Sequence, residues 1–323
     1  MTKEMMANLY QNKIPLPQNP LREINSYIIK GPERNLIVDT GMNREECMKV
    51  MTAGLKELNV DLKKTDFFIT HLHADHLGLV SSLATDTSTI YFNRPDGTAV
   101  NSDGNWDHNA RFADGNGFTP EERQQALDNH PGRRYASRKG LPFHFVDEGD
   151  IISIADYSFQ CITTPGHTRG HTCLYEPDKK LLLSGDHILV DITPNISLWS
   201  DDENPLDEYL HSLDKVGELD IELVLPGHRS TFKNCQKRIE ELKHHHEARA
   251  DEVLNILESG AQNAFQVASH MTWDMDYASW EQFPPSQKWF AFGEAVAHLK
   301  YLEGQGKVQK ETRAPVAVYS LKK

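Results

Sequence analysis

The chain has 323 residues, with 34 Lys and Arg against 47 Asp and Glu, giving a formal net charge of −13 at pH 7. This acidic balance disfavours nucleic acid as a partner, because binding to phosphate backbones needs an excess of basic side chains. No apolar run approaches the ~20 residues that span a bilayer, and the N-terminus lacks the apolar core of a signal peptide. We therefore expect a cytoplasmic protein with no membrane partner and four reduced cysteines.

The first predicted elements are a short apolar strand and an amphipathic helix. The strand runs through residues 36–38 and ends at Asp39, followed by Thr40 and Gly41. Residues 44–58 carry Cys47, Met51 and Leu55 at helical spacing, which predicts a helix that buries one face. Short apolar strands alternating with helices are typical of a mixed α and β domain.

A dense run of metal-capable side chains follows the next strand. Residues 67–70 predict a short buried strand, and His71, His73, Asp75 and His76 come directly after it. Three imidazoles and a carboxylate this close together are costly to desolvate unless something binds them. A divalent metal ion is the ligand that suits this set of donors.

Three later segments repeat the order of an apolar run, a glycine and a metal-capable side chain. They place His167 after residues 159–163, Asp186 after residues 181–183 and His228 after residues 221–225. Glycine permits the tight turn that directs the next side chain inward. We expect the four strand ends to converge on one place.

These motifs supply seven candidate donors, which are His71, His73, Asp75, His76, His167, Asp186 and His228. One tetrahedral zinc takes about four ligands, so two metals fit the set better. Paired metals ~3.5–4 Å apart share a bridging carboxylate and a bridging hydroxide, which is a nucleophile at neutral pH. The count predicts a hydrolase. The nearby His171 and His187 are interpreted as structural residues or as supports of the ligands, and His244, His245 and His246 as the solvated face of a helix.

The run from His71 to His76, followed in order by His167, Asp186 and His228, resembles the metallo-β-lactamase-fold hydrolases. The resemblance is closest to the glyoxalase II-like branch with a dinuclear site. It implies an α+β fold, a four-layer αββα sandwich with the metals at one edge. It also implies the metal assignments: His71, His73 and His167 hold one metal, Asp75, His76 and His228 hold the other, and Asp186 bridges them.

The same resemblance assigns roles to further residues. Asp39 matches the family's early strand-end aspartate, which orients a ligand imidazole by a hydrogen bond. His73 in place of a glutamate favours a hydrolytic site over the oxygen-reducing di-iron relatives. Asp75 is the expected catalytic residue, which orients the hydroxide and takes up its proton. Zinc is the first choice of metal, with iron and manganese as alternatives that the same ligands accept.

The resemblance also sets the predicted domains, a catalytic domain over 1–229 and a second domain over 230–323. The catalytic domain carries an insertion at about 94–142, predicted to be a lid or pocket wall with disorder as the alternative. Within it, Thr119 and Pro120 predict the start of a helix. The second domain reads as a connector helix, three helices and a β-hairpin, a winged-helix-like layout suited to packing, substrate binding or homodimer formation.

The predicted function is hydrolysis of an activated acyl carbon in a small-molecule substrate, a thioester such as an acyl-CoA or a lactone. Residues 191–199 depart from the glutathione-binding segment of the glyoxalase II enzymes, which favours a larger thioester. Arg169 and Arg229 are candidate contacts for an acidic substrate group, with ordinary surface arginine as the alternative. Two other functions remain open: a single-stranded RNA phosphodiesterase, and a metal-binding regulatory protein with little turnover.

Overall fold

The computed structural model describes residues 1–102, 106–275, 277–313 and 315–322. Its strands, in chain order, are β1 (Lys3–Met6), β2 (Leu9–Pro15), β3 (Glu23–Lys30), β4 (Asn35–Val38), β5 (Thr65–Phe68), β6 (Ile90–Asn93), β7 (Phe143–Val146), β8 (Ile151–Ile154), β9 (Tyr157–Thr163), β10 (Thr172–Glu176), β11 (Leu181–Gly185), β12 (Leu223–Pro226), β13 (Val308–Arg313) and β14 (Val316–Leu321). Its α-helices are α1 (Glu45–Glu57), α2 (Ala74–Leu77), α3 (Val80–Leu83), α4 (Arg94–Asn101), α5 (Trp106–Gly115), α6 (Pro120–Asp128), α7 (Pro131–Arg134), α8 (Pro205–Gly217), α9 (Cys235–Leu257), α10 (Ala264–His270) and α11 (Pro285–Gly304).

Contacts within the chain group these elements into two compact units. Unit 1 comprises Met1–Asp103, Tyr135–Pro194 and Ser212–Ile239, and unit 2 comprises Gly104–Arg134, Asn195–His211 and Glu240–Lys323. All seven candidate donors lie in unit 1. The domain boundary that the sequence placed after residue 229 stays a prediction.

Unit 1 is built on two mixed β-sheets. The first has seven strands in the order β1 to β7, antiparallel from β1 to β4 and parallel from β4 to β7. The second has five strands in the order β12-β11-β10-β9-β8, with one parallel pair, β11 and β12. The carboxyl ends of the parallel strands β4 and β5 lie at the same edge, which is where Asp39 and the cluster beginning at His71 follow.

A shared apolar core joins the two sheets. Leu36 and Phe68 of the first sheet belong to one buried cluster with Phe159 and Leu183 of the second. A second cluster fills the other side of the first sheet, where the buried face of α1 packs. On the outer side of the second sheet, Lys215 of α8 donates to the carbonyl oxygen of Thr163, the last residue of β9, and Ser212 donates to that of Pro165 in the turn that follows. These layers confirm the predicted αββα sandwich.

Unit 2 consists mainly of helices and one hairpin. Trp289 of α11 stacks on Trp199 with ring centroids 4.3 Å apart, and Phe118 and Phe292 pack beside them. The strands β13 and β14 pair in antiparallel fashion. The last two helices and the hairpin follow the order that the sequence predicted, but the predicted connector helix and the first of the three helices form one continuous helix, α9. The winged-helix class of this region stays a prediction.

The region 94–142, predicted to be an insertion, contains the helices α4 to α7. Thr119 begins α6 as predicted, because its side chain accepts a hydrogen bond from the N–H of Glu122 and Pro120 occupies the first turn. The lid role stays a prediction. Among the described helices, none combines the length and the hydropathy that a bilayer-spanning segment needs. The four cysteines are buried and form no disulfide among the described residues.

Candidate metal centre

The candidate donors stand where strands of unit 1 end, as the sequence predicted. His71 and His73 follow β5, while Asp75 and His76 lie in the short helix α2 that comes next. His167, Asp186 and His228 follow β9, β11 and β12 in turn. The turns before two of them need glycine, because Gly166 has φ +138° and Gly185 has φ +49°.

The seven side chains come together in three overlapping groups. Their potential ligand atoms lie within 4.8 Å of one another in each group. The groups are His71, His73 and His167; His71, His76 and Asp186; and Asp75, His76 and His228. Because His71 and His76 each belong to two groups, the donors surround one continuous centre.

Asp186 occupies the middle of this centre. Its Oδ1 lies 3.4 Å from Nε2 of His76, and its Oδ2 lies 3.4 Å from Nε2 of His228 and 3.7 Å from Nε2 of His167. One carboxylate therefore faces imidazoles of both predicted metal sets. This position is compatible with the bridging role that the family resemblance implies.

The unsatisfied atoms of the cluster test whether these residues fit metal ions. Nε2 of His76, Nε2 of His228 and Oδ1 of Asp186 are buried and make no hydrogen bond within the described residues. Two ligand atoms that are each ~2.0–2.1 Å from a tetrahedral ion lie roughly 3.4 Å apart. Facing donors at that separation without a hydrogen bond between them fit ligands of a common cation, so the donor set fits divalent metals.

Hydrogen bonds at the other ring nitrogens hold the imidazoles in place. Nδ1 of His76 lies 2.7 Å from Oδ2 of Asp39, and Nδ1 of His228 lies 2.8 Å from the carbonyl oxygen of Glu23. Nδ1 of His71 lies 3.0 Å from Oγ1 of Thr70. Each of these contacts engages Nδ1 and leaves Nε2 to face the centre. A hydrogen bond at the nitrogen that does not bind metal is the usual support of a ligand histidine.

Asp39 is buried and does not belong to any of the three donor groups. Its Oδ1 accepts the N–H of Thr70 and its Oδ2 accepts the Thr70 hydroxyl, both at 2.9 Å. Its backbone has φ +56°, a region that Asp tolerates better than most residues. The contacts match the predicted role of orienting an imidazole.

The electrostatics of the cluster favour positive charge at its centre. Burial acts to lower the pKa of His228, but the carboxylates of Asp186 and Asp75 outweigh it and raise that pKa to about 10. Likewise, burial is outweighed by Asp39 and Asp186, which raise the pKa of His76 well above its usual value. A divalent cation would take the place of these protons, since metal and proton compete for the same nitrogen.

The neighbouring imidazoles behave differently. Burial and the neighbouring His167 lower the pKa of His73 to about 3, and burial with His76 and His73 lowers the pKa of His71 well below its usual value. Both rings are therefore neutral at pH 7. A neutral imidazole has the free nitrogen lone pair that a metal ligand needs.

The two histidines interpreted as structural are buried beside the ligand loops. Nε2 of His171 accepts the N–H of Asp186 at 3.1 Å, while its Nδ1 lies 2.7 Å from Oγ1 of Thr164. His171 thus fixes the backbone of Asp186. Burial lowers the pKa of His187 to about 3.

Two arginines were predicted to contact an acidic substrate group. Arg229 follows His228 with φ +66°, and its Nε is buried and makes no hydrogen bond within the described residues. Arg169 is exposed, and its charge acts to lower the pKa of Asp96. The substrate contacts of both residues stay predictions.

Sequence reasoning missed Asp96, which is 1% exposed and accepts hydrogen bonds from the loops that carry His71, His73 and His167. It lies in the predicted insertion, and even the nearest of these partners is 24 positions away along the chain. The one local signal was an aspartate in the first turn of a helix after a strand, where capping is the ordinary explanation.

Comparisons with known proteins identify the family of this chain. A model of the metallo-beta-lactamase superfamily matches residues 19–228. The chain is 24% identical over 326 residues to the probable metallo-hydrolase YqjP of Bacillus subtilis (strain 168), covering 91% of each. It is 25% identical over 223 residues to the acyl-coenzyme A thioesterase MBLAC2 of Homo sapiens, covering 64% of this chain and 74% of that protein.

A solved structure gives the same result for the fold. The metallo-beta-lactamase family protein TTHA1429 from Thermus thermophilus aligns with a TM-score of 0.77 and 26% identity, covering 99% of this chain and 100% of that one. The glyoxalase II-like branch stays a prediction. Because the family model covers about two thirds of the chain, including every candidate donor, this chain belongs to the metallo-beta-lactamase superfamily.

Proposed function

We propose that this protein is a dinuclear metal-dependent hydrolase of acyl thioesters of the acyl-CoA class. The observation that carries the proposal is the central position of Asp186, with donor nitrogens of both predicted metal sets at 3.4–3.7 Å from its two oxygens. Asp186 and the six donors around it exceed what a single tetrahedral ion uses. His71, His73 and His167 would hold one ion, Asp75, His76 and His228 the other, and Asp186 both.

Bound divalent metals would polarise a carbonyl oxygen and lower the pKa of water toward neutrality. The protein's own part is to hold the donors rigidly. Asp39 and Thr70 orient His76 and His71, and the carbonyl of Glu23 orients His228. Fixed donors avoid reorganisation during the reaction, which is where such sites gain most of their rate.

Asp75 is the residue that we assign to the handling of water. Burial acts to raise its pKa, but the close approach of His228, whose Nε2 lies 3.4 Å from Oδ2 of Asp75, and the charges of His76 and His228 bring that pKa to about 2. The carboxylate therefore stays ionised at neutral pH and accepts a hydrogen bond from water. This orients the water toward the acyl carbon and gives the departing proton a nearby acceptor.

The acyl-CoA class is supported by a relative and by one side chain. The relative MBLAC2 is named as an acyl-coenzyme A thioesterase. Arg229, next to His228, offers a half-buried guanidinium whose Nε has no acceptor among the described residues. A phosphate or carboxylate group of a substrate would supply that acceptor.

The test combines metal content with a substrate panel. Elemental analysis of the purified protein is expected to give two divalent ions per chain, with zinc the first to measure. Release of free thiol from acyl-CoA thioesters is expected to exceed hydrolysis of lactones and of a single-stranded RNA. If the protein binds two metals but hydrolyses only the RNA, the phosphodiesterase function is favoured. If it hydrolyses none of the substrates in the panel, a regulatory role is favoured.

Replacement of Asp75 tests its assignment. Asp75→Ala is expected to lower kcat for the thioester by ~10²–10⁴, the usual contribution of a positioned proton acceptor. Asp178→Ala, which removes an exposed carboxylate, serves as the control and should keep full activity. Near-normal turnover by Asp75→Ala with an intact circular dichroism spectrum would remove Asp75 from the mechanism.

A further inference from the structure

Asp96 joins two loops that are far apart in the sequence. Its Oδ2 accepts the N–H of Leu72 at 3.0 Å and the hydroxyl of Thr168 at 2.7 Å, and its Oδ1 accepts the N–H of Gly170 at 2.7 Å. Leu72 stands between His71 and His73, and Thr168 directly follows His167. A single carboxylate therefore fixes both backbone segments that present these three imidazoles.

The fit around this carboxylate is tight. A Cβ added to Gly170 would lie 2.8 Å from Cγ of Asp96 and 2.8 Å from its backbone nitrogen. Only a glycine lets the loop after His167 approach this closely. The loop geometry and the carboxylate thus depend on each other.

The other predicted metal subsite has different supports. His76 is held by Asp39, and His228 is held by the carbonyl oxygen of Glu23. The hydrogen bonds of Asp96 to the described residues go to Leu72, Thr168 and Gly170, and so reach neither of these supports. Loss of the Asp96 carboxylate should therefore disturb one subsite much more than the other.

We propose that Asp96 is a positioning residue for the metal subsite formed by His71, His73 and His167, holding its two loops at the separation that the ion requires. The inference rests on the proposed dinuclear function, and it concerns the binding of metal, without a direct role in the reaction. Supports of this kind typically contribute 10–100-fold to metal affinity.

The hydrogen-bond count explains why an amide cannot replace the acid. Two backbone N–H groups point at different oxygens of Asp96, and a backbone N–H cannot reverse its direction. In Asp96→Asn one of the two would face an NH₂ group, whichever way the amide is turned. The nearly isosteric variant should therefore lose most of the effect while keeping the packing.

The experiment measures zinc binding by the full chain in competition with a coloured chelator. Wild type is expected to bind two ions, whereas Asp96→Asn should bind one ion normally and the second ~10–100-fold more weakly. Thr168→Val, which removes one donor and keeps the shape, should weaken the same step by less. Asp66→Asn is the matched control, because its carboxylate also accepts a backbone N–H, that of Thr89, and its partners Thr89 and Arg34 lie outside the ligand loops.

A double-mutant cycle identifies the subsite. In a His167→Ala background, Asp96→Asn should cause no further loss of zinc, because that subsite is already removed. In a His228→Ala background it should weaken the ion that remains. Equal additional loss in both backgrounds, or a second zinc that binds as in wild type, would overturn the assignment.

The zinc-binding result for Asp96 can be distinguished from the result of the thioesterase assay. Binding of two ions by a wild-type protein that releases no thiol would defeat the thioesterase proposal and leave the Asp96 comparison valid. A wild-type protein that binds fewer than two ions would contradict both the dinuclear thioesterase proposal and the Asp96 proposal. A lowered melting temperature of metal-free Asp96→Asn, relative to Asp66→Asn, with both binding steps equally weakened would show a purely structural role.

Discussion

At the scale of single residues, Arg229 is the side chain that tests the choice of substrate. Its Nε is buried without a hydrogen-bond acceptor among the described residues, and it directly follows the predicted ligand His228 in the chain. A buried donor without a partner is costly, so a bound anion that accepts from it gains affinity.

Arg229→Gln is expected to raise KM for an acyl-CoA roughly 10- to 150-fold, because a charge-assisted hydrogen bond contributes about 1.5–3 kcal/mol. The kcat should change little, since the proposed contact is with an anionic group of the substrate and not with the acyl carbon. Steady-state kinetics with a small uncharged thioester provide the control, and that substrate should be unaffected. Equal losses on both substrates would show that Arg229 supports His228 and does not bind an anion.

Single residues also differ in whether their place in the metal centre could be predicted from the sequence. The seven donors stand in short local motifs, each a strand end followed by a turn, so their convergence could be inferred from the order of residues alone. Asp96 could not, because its three partners lie at residues 72, 168 and 170 and only the folded chain brings them together. Hydrogen bonds between residues that are far apart in the sequence leave no local sequence pattern.

At the scale of elements, α9 and α11 are joined by a buried pair of histidines. Nδ1 of His246 lies 3.2 Å from Nε2 of His298, whose Nδ1 donates to the carbonyl oxygen of Glu294 at 2.9 Å. Burial lowers the pKa of His298 to about 4, and burial with His298, His245 and Arg249 lowers the pKa of His246 well below its usual value. Both rings are therefore neutral in the folded protein at pH 7.

This pair should make stability depend on pH. The unfolded chain takes up these protons near pH 6.5 whereas the folded one does not, so folding stability falls as the pH drops from about 6.5 toward 4. For His298 the loss amounts to about 3 kcal/mol at most. His298→Gln is expected to have a flatter dependence of the free energy of unfolding on pH, measured by urea denaturation of metal-loaded protein.

The exposed His244 on the same helix supplies the matched control for that measurement. His244→Gln should reproduce the wild-type curve. Parallel pH curves for wild type and His298→Gln would rule out the pair as a source of the dependence.

The helix α9 also corrects the interpretation of the histidine triplet. His244 is exposed and His245 half-buried, but His246 is 1% exposed, so the prediction of a solvated face is wrong for that residue. Leu242, His246, Ala250, Val253 and Leu257 form one buried stripe along a single 23-residue helix. The charged composition obscured this stripe, because His246 within it and the buried Arg249 next to it interrupt the apolar pattern that marks a buried face.

At the scale of the whole molecule, metal binding should contribute to the stability of the fold. The donors come from residues 71 to 228, so an ion bound in the centre cross-links distant parts of unit 1. A ligand that binds only the folded state adds about 2.7 kcal/mol of stability at 100 times its dissociation constant. Removal of metal should accordingly lower the melting temperature.

Calorimetry with and without a chelator checks this expectation. The melting temperature is expected to fall by several degrees on chelation, given ~2–4 °C for each kcal/mol in domains of 150–250 residues, and to recover when zinc is added back. His76→Ala, which removes a donor shared by two of the three groups, should respond less. An unchanged melting temperature after verified metal removal would contradict the coupling.

The sandwich itself was predictable because its strands are short apolar runs and its metal motifs resemble those of a known family. The division of the chain into two units was harder to predict from the sequence. Residues 104–134 group with the C-terminal residues by contacts, although the sequence suggested an insertion within the catalytic domain. Nothing in composition reveals which distant surface a helical segment will pack against.

The close approach of Gly170 to Asp96 constrains how descendants of this chain can change. A Cβ at position 170 would lie 2.8 Å from Cγ of Asp96 and equally close to the backbone nitrogen of residue 96. Because that nitrogen is present whatever side chain stands at position 96, loss of the acid alone does not make room at position 170. Aligned homologues that keep this loop geometry should therefore retain glycine at position 170, with or without the acid.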